Sequence, residues 1–194
     1  LWFKPAGMLT QGTHFGDHCS LLRTAQTALA SRQALLPVHR LDREARGLVV
    51  VAHDRPTAAK LAAQFASRQV EKAYRAVVMG RLAAAHAKQT IDLPLDGRLA
   101  VTHYRPGAYD PARDRTTVDV WIVTGRRHQI RRHFDRIGHP LAGDPRYGTG
   151  NRDDNGLQLW ATRLAFNCPA DGRRRTYVLP PDRMPAAPPA VSTT

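Results

Sequence analysis

The segment from Val38 to Asp54, VHRLDREARGLVVVAHD, constrains this chain more than any other. A polar knot, His39-Arg40-Leu41-Asp42, precedes a wholly apolar run, Gly47-Leu48-Val49-Val50-Val51-Ala52. The run is short, β-branched and bounded by Gly47 and Asp54, which predicts a strand buried on both faces. A carboxylate beside such a strand is fixed in place and partly desolvated, with Arg40 as a neighbouring cation. A structural ion pair uses the same arrangement. The segment alone therefore leaves Asp42 open between a structural and a reactive role.

The rest of the chain supplies the frame. Lys4-Pro5-Ala6-Gly7 is turn chemistry after a short strand end. His14 to Cys19 reads as loop. Ser20 caps a helix predicted to run to about residue 34, with Leu22, Ala25, Leu29 and Gln33 at helical spacing. Asp54-Arg55-Pro56 starts a second helix whose buried face is Ala58, Leu61, Ala62 and Phe65. Val70 to Gly80 alternates as a strand, with Lys72, Tyr74, Ala76 and Val78 on one face. Residues 82–90 are Ala-rich and have no clear pattern. Residues 91–109 read as short strands with turns at Asp96-Gly97 and Pro106-Gly107.

Thr116 to Thr124 is a strand with Val118, Val120 and Ile122 on one side. A helix follows over 127–137, its stripe Ile130, Phe134 and Ile137, stopped by Gly138. Residues 144–155 form a Gly/Asp-rich loop. Residues 157–166 fit a short helix or a strand, and residues 175–179 a last strand. Strands and helices mix without a βαβ rhythm, which predicts an α+β fold with a mostly antiparallel sheet. The expected organisation is one domain over residues 1–180 and a Pro-rich tail over 181–194.

Lys and Arg number 29 against 16 Asp and Glu, a net charge of +13. That excess points to a polyanionic partner, nucleic acid ahead of an anionic membrane. Cys19 and Cys168 lie far apart without CxxC spacing, which fits a reducing cytoplasm and argues against a disulfide scaffold or a zinc site. The His residues are scattered, so no metal is expected. No apolar run of 18 residues occurs, so no membrane span is expected.

Three places combine polar chemistry with rigid support. One is Arg40 and Asp42. Another is Tyr74, beside Lys72 on a strand face, where a packing role is the commoner one for a tyrosine. The third is Gly125-Arg126-Arg127-His128-Gln129-Ile130-Arg131-Arg132-His133, at a strand-to-helix turn. Residues 125–136 hold five Arg and one acid. A helix start with forked guanidinium donors suits phosphate, although a solvated basic face has the same composition. Arg131 follows the core position Ile130 and is placed to reach inward to a carboxylate.

Taken together, these stretches resemble the RluA-type pseudouridine synthases. The motifs that carry the resemblance are His39-Arg40-Leu41-Asp42 with its apolar strand, Lys72-Ala73-Tyr74-Arg75-Ala76, and Thr124-Gly125-Arg126-Arg127-His128-Gln129-Ile130-Arg131-Arg132-His133. Gly138-His139-Pro140 with Gly143-Asp144-Pro145-Arg146-Tyr147-Gly148, and the early Lys4-Pro5-Ala6-Gly7, extend it. The resemblance spans residues 1 to about 180, in order and in register.

It implies a pseudouridine synthase-like fold with a basic catalytic cleft. It also implies isomerisation of uridine in structured RNA, tRNA or rRNA, with base flipping. By position, Asp42 matches the aspartate nucleophile and Arg131 the arginine that pairs with it. Tyr74 matches the tyrosine that stacks on the base and takes part in proton abstraction. Arg40 matches the arginine that fills the gap left by the flipped base. Ile130 is expected to line the pocket, and Arg126 and His128 to contact RNA.

The chemistry needs no cofactor, since no redox change or external group is involved, and a monomer is expected. Two departures from the family pattern stand out. Ala45-Arg46 occupies positions that are often Thr-Ser, and Leu159-Trp160-Ala161 occupies a segment that often carries His. The alternative reading is a non-catalytic RNA-binding protein that keeps the fold.

Overall fold

The structure, a computed structural model, describes residues 1–12, 19–30, 34–83 and 87–184. In chain order these form β1 (Trp2–Lys4), α1 (Leu21–Ala28), β2 (Leu36–Pro37), β3 (Arg46–Val49), β4 (Val51–Ala52), α2 (Arg55–Ala66) and β5 (Glu71–Met79). They continue as β6 (Gln89–Asp92), β7 (Val101–Asp110), β8 (Arg115–Ile122), α3 (Gln129–Arg136), β9 (Leu159–Asn167) and β10 (Arg174–Val178), with a 3₁₀ turn at Pro181–Arg183. The class is α+β with mostly antiparallel pairing, as the sequence predicts. The chain divides into two compact units, Leu1–Lys72 with Trp160–Leu179, and Ala73–Leu159 with Pro180–Thr194.

In the first unit, β3 pairs antiparallel with β1 and parallel with β9, and β10 pairs with β9. Gly47 to Ala52 is buried throughout, but it is two strands rather than the single one expected. β3 ends at Val49, and β4 turns to a different partner, β2. The interruption has a local cause: the Val50 N–H donates to His39 Nε2 at 3.0 Å instead of joining a ladder.

Gly47 has φ +124°, and a Cβ there would run into the Ala161 backbone. Glycine is what lets β3 and β9 lie side by side at this point. Ser20 caps α1 as expected, accepting from Arg23 N at 3.2 Å. The helix stops well short of residue 34, because Ala30 turns left-handed at φ +49°. Leu29 is accordingly 47% exposed rather than in the core. The expected loop at 14–18 and position Gln33 lie outside the described residues. Asp54 caps α2; Leu61 is buried, but Ala62 faces solvent.

In the second unit, β5 from Ala73 onward, β8, β7 and β6 form an antiparallel meander in space. One face is apolar. Tyr74 stands opposite Val120, and Val120 opposite Tyr104; Ala76, Val118 and Pro106 make the next row. Helix α3 covers this face through Phe134, whose ring meets Tyr104 edge-on at 5.2 Å. The opposite face is polar, with Arg75 on Asp119 at 3.0 Å and Lys88 over Trp121 at 4.4 Å. Tyr74 therefore lies on the helix-covered side.

Asp96-Gly97 is a turn with both residues at positive φ, as expected. Pro106-Gly107 is not a turn; it lies inside the ten-residue β7, where the register shifts between Pro106 and Tyr109. A proline is tolerated in a strand at such a bulge. Residues 84–86 of the Ala-rich stretch and residues 185–194 of the expected tail lie outside the described residues. Among the described residues no helix is long and apolar enough to cross a membrane, and no group of three or more His, Cys, Asp and Glu is placed to hold a metal ion.

Gly47→Ala is expected to destabilise the protein by at least about 2 kcal/mol, through left-handed strain and collision with the β9 backbone. Urea unfolding monitored by circular dichroism measures it.

Candidate active site

The loop that carries Arg40 and Asp42 joins β2 to β3 in the first unit. Its odd-numbered residues are tied down one by one. His39 Nε2 accepts from Val50 N and stacks on Phe65, with ring centroids 4.6 Å apart. Leu41 is buried; its N–H donates to Thr10 Oγ1, and that hydroxyl donates back to Leu41 O. The Arg43 carbonyl accepts from Gly7 N at 2.8 Å and from Lys4 Nζ at 3.1 Å, and Arg43 Nε donates to Gly7 O. Between these anchors Arg40 is exposed and Asp42 half-buried.

Lys4 is the deepest of these anchors. Its side chain is wholly buried, and its ammonium donates to Pro5 O, Met8 O and Arg43 O at 2.9, 2.7 and 3.1 Å. Burial pushes it down to about 8, against the opposing pull of Asp42 and Glu44. The motif Lys4-Pro5-Ala6-Gly7 is thus more than a turn: it is the clamp on the Asp42 loop.

His39 is neutral. Its Nε2 must be unprotonated to accept from Val50, and burial, with Lys72 as a lesser cause, pushes the ring down to about 3. It is a structural staple, and it has no lone pair to spare for acid–base work.

In the second unit the segment 124–133 is stapled from inside. Gln129 is buried; its amide donates to Val101 O and Thr102 Oγ1, and its carbonyl accepts from Thr124 Oγ1 and Arg126 N. His128 begins α3 in the left-handed conformation, φ +51°, without a side-chain cap. Its Nδ1 lies 3.0 Å from Tyr147 Oη. Ile130 is buried, as its place in the core stripe requires.

Arg131 is 1% exposed and does reach inward to a carboxylate, that of Asp144, through Nε and Nη2 at 2.7 Å each. Sequence reasoning did not single out Asp144, although its motif was visible. Part of the basic cluster is structural. Arg132 forks onto Asp96, Arg136 donates to Pro94 O and Arg126 Nε to Leu99 O, so all three pin the β6–β7 turn. Arg127 is exposed. A cavity of about 410 Å³, lined by Leu82, Ile91, Tyr104, Ile137 and His139 among others, contains none of the expected site residues.

The two departures from the family pattern meet each other. Arg46 stands opposite Trp160 in the parallel β3–β9 register, with its guanidinium 5.0 Å from the ring centroid.

His39 sets a pH dependence of stability. Its folded value of about 3 lies below the ordinary 6.5, so between these values the unfolded chain takes up a proton that the folded chain does not. Stability should therefore fall as the pH drops from 6.5, by at most about 1.4 kcal/mol per unit. His133, also lowered chiefly by burial, adds in the same direction. Thermal melts between pH 7 and 5 should show the decline, and His39→Gln, which keeps an acceptor for Val50, should make it shallower.

The chain matches the RNA pseudouridylate synthase family over residues 1–136. It is 36% identical over 159 residues to "Ribosomal large subunit pseudouridine synthase D" of Zymomonas mobilis, covering 71% of this chain and 50% of that protein. It is 40% identical over 162 residues to the protein of the same name from Pseudomonas aeruginosa, covering 75% and 49%. The chain spans about half the length of the curated relatives it matches. The structure of Human RNA Pseudouridylate Synthase Domain Containing 4 has the same fold, with a TM-score of 0.69 at 22% identity over 92% of this chain and 83% of that one. The latched aspartate loop, the strand tyrosine and the buried arginine are thus set in a known frame, and the chain belongs to the RluA-type family of RNA pseudouridine synthases.

Proposed function

We propose that this chain isomerises uridine to pseudouridine in structured RNA. The observation that carries the reading is family membership in a chain that retains Asp42 on a loop anchored at residues 39, 41 and 43. Asp42 attacks the target uridine as nucleophile. As Asp42 bonds to the sugar carbon the carbon–nitrogen glycosidic bond breaks; the uracil rotates, its carbon 5 displaces the carboxylate from the sugar, and the proton lost from carbon 5 is matched by one gained at the freed ring nitrogen. Substrate and product have the same atoms, so the reaction consumes no cofactor.

Tyr74 stacks on the base and takes part in removing the carbon 5 proton. Arg131 pairs with Asp42 and orients its carboxylate. Arg40 fills the gap left by the flipped base. Flipping costs a few kcal/mol, and stacking on an aromatic ring returns roughly 1–3 kcal/mol per base. Arg126 and His128 contact the RNA, and Ile130 backs the pocket.

The net charge of +13 supports an RNA partner. The names of the relatives favour ribosomal RNA over tRNA as the substrate. In this reading the residues 1–180 act as one catalytic domain, monomeric and cytoplasmic.

The test is tritium release from a large-subunit rRNA transcript and from tRNA, each labelled with [5-³H]uridine. Asp42→Asn should lower the rate by at least about 10³-fold while RNA affinity stays within about threefold. An Asp42→Asn protein that turns over at the wild-type rate overturns the assignment. A wild-type protein that binds both RNAs and releases tritium from neither supports the non-catalytic reading instead.

A further inference from the structure

The loop between α3 and β9 is built around one carboxylate. Asp144 is the one buried acidic residue among the described residues. Its Oδ1 accepts from Arg131 Nη2 at 2.7 Å, Arg146 N at 2.9 Å and Tyr147 N at 3.1 Å, and its Oδ2 accepts from Arg131 Nε at 2.7 Å. A planar guanidinium held by both Nε and Nη2 has its orientation fixed, and its opposite edge points in a set direction. The Tyr147 ring lies 5.3 Å from the guanidinium carbon, and its hydroxyl meets His128.

The loop itself is rigid. Asn151 Nδ2 donates to Leu141 O and Tyr147 O, Ala142 N donates to Val77 O, and Gln158 N to Ala142 O. A Cβ at Gly143 would strike Gly156 O, and one at Gly148 would strike Pro140. Two glycines are thus spent on folding this loop tightly.

A buried ion pair adds little stability over apolar residues of the same volume, because desolvation cancels most of the attraction. What such a pair delivers is placement. We propose that Asp144, with Tyr147 and His128 behind it, is a positioning set that aims Arg131 at the reacting centre. This rests on the reading of Arg131 as a member of the catalytic set. Asp144 acts through Arg131 and does not itself touch the substrate.

Asp144→Asn keeps the size and presents an NH₂ group to one of the two guanidinium donors, which breaks the fork. At saturating [5-³H]uridine-labelled total RNA from cells lacking the gene, its rate of tritium release should fall about 30-fold. RNA affinity measured by filter retention should stay within about threefold. A double-mutant cycle separates positioning from folding. In an Arg131→Lys background, which has no fork to lose, Asp144→Asn should cost almost nothing further.

The proposal is overturned if Asp144→Asn works at the wild-type rate, if rate and RNA affinity fall together, or if it costs the same factor in both backgrounds. Arg131→Lys at the wild-type rate instead sinks the reading of Arg131 on which the proposal rests. Should Asp144→Asn not fold, Tyr147→Leu carries the test. It leaves the backbone N–H donors on Asp144 and removes only the ring and its hydroxyl. A rate loss of at least about threefold at unchanged RNA affinity is expected, and a wild-type rate refutes the positioning set.

Discussion

A lysine with no exposed surface is a costly thing to keep, and the first unit is arranged to make it tolerable. Lys4 directs all three ammonium protons at carbonyl oxygens, two in its own turn and one on the chain beside Asp42. Each such bond to a charged donor is worth about 1.5–3 kcal/mol when made and costs more when its partner is lost. The Asp42 loop has no ladder of its own. Its shape depends on these side chain to backbone bonds, with Thr10 and His39 completing the set. Taking Lys4 away would leave the Arg43 carbonyl to the Gly7 N–H alone and loosen the residue before it.

The second unit solves the same problem with the opposite charge. Its buried guanidinium is paired with a carboxylate, and the carboxylate is paired with backbone amides. In both units, a side chain that could wander is fixed by a neighbour with no freedom of its own. The adjoining polar residues then have fixed roles: Gln129 staples the turn before α3, and Arg132 and Arg136 hold the β6–β7 turn against it.

Much of the fold was readable because periodicity follows burial. β5, β8 and α3 show clear 2.0 or 3.6 repeats, and Ala76, Val118, Val120 and Phe134 are buried where those repeats put them. The failures have local causes. Val50 leaves its strand because a histidine eleven residues back takes its N–H. Pro106-Gly107 looked like a turn and is a bulge, since strand register is set by partners far along the chain. The site was legible as motifs and illegible as mechanics. Nothing in the order of residues links Lys4 to Arg43 across 39 positions, or makes Asp144 the partner of Arg131. Such pairings are created only by the fold.

The contact of Arg46 with Trp160 ties together two positions far apart in the chain. Position by position, the two residues look like unrelated deviations. In space they are one object, a cation on a buried indole face across the parallel β3–β9 pair, worth between about 0.5 and 2 kcal/mol. Exchange at either position alone strands the other: a ring without its cation, or a half-buried guanidinium without its ring. The two positions are therefore coupled in energy although they lie 114 residues apart, and substitutions at them should not add.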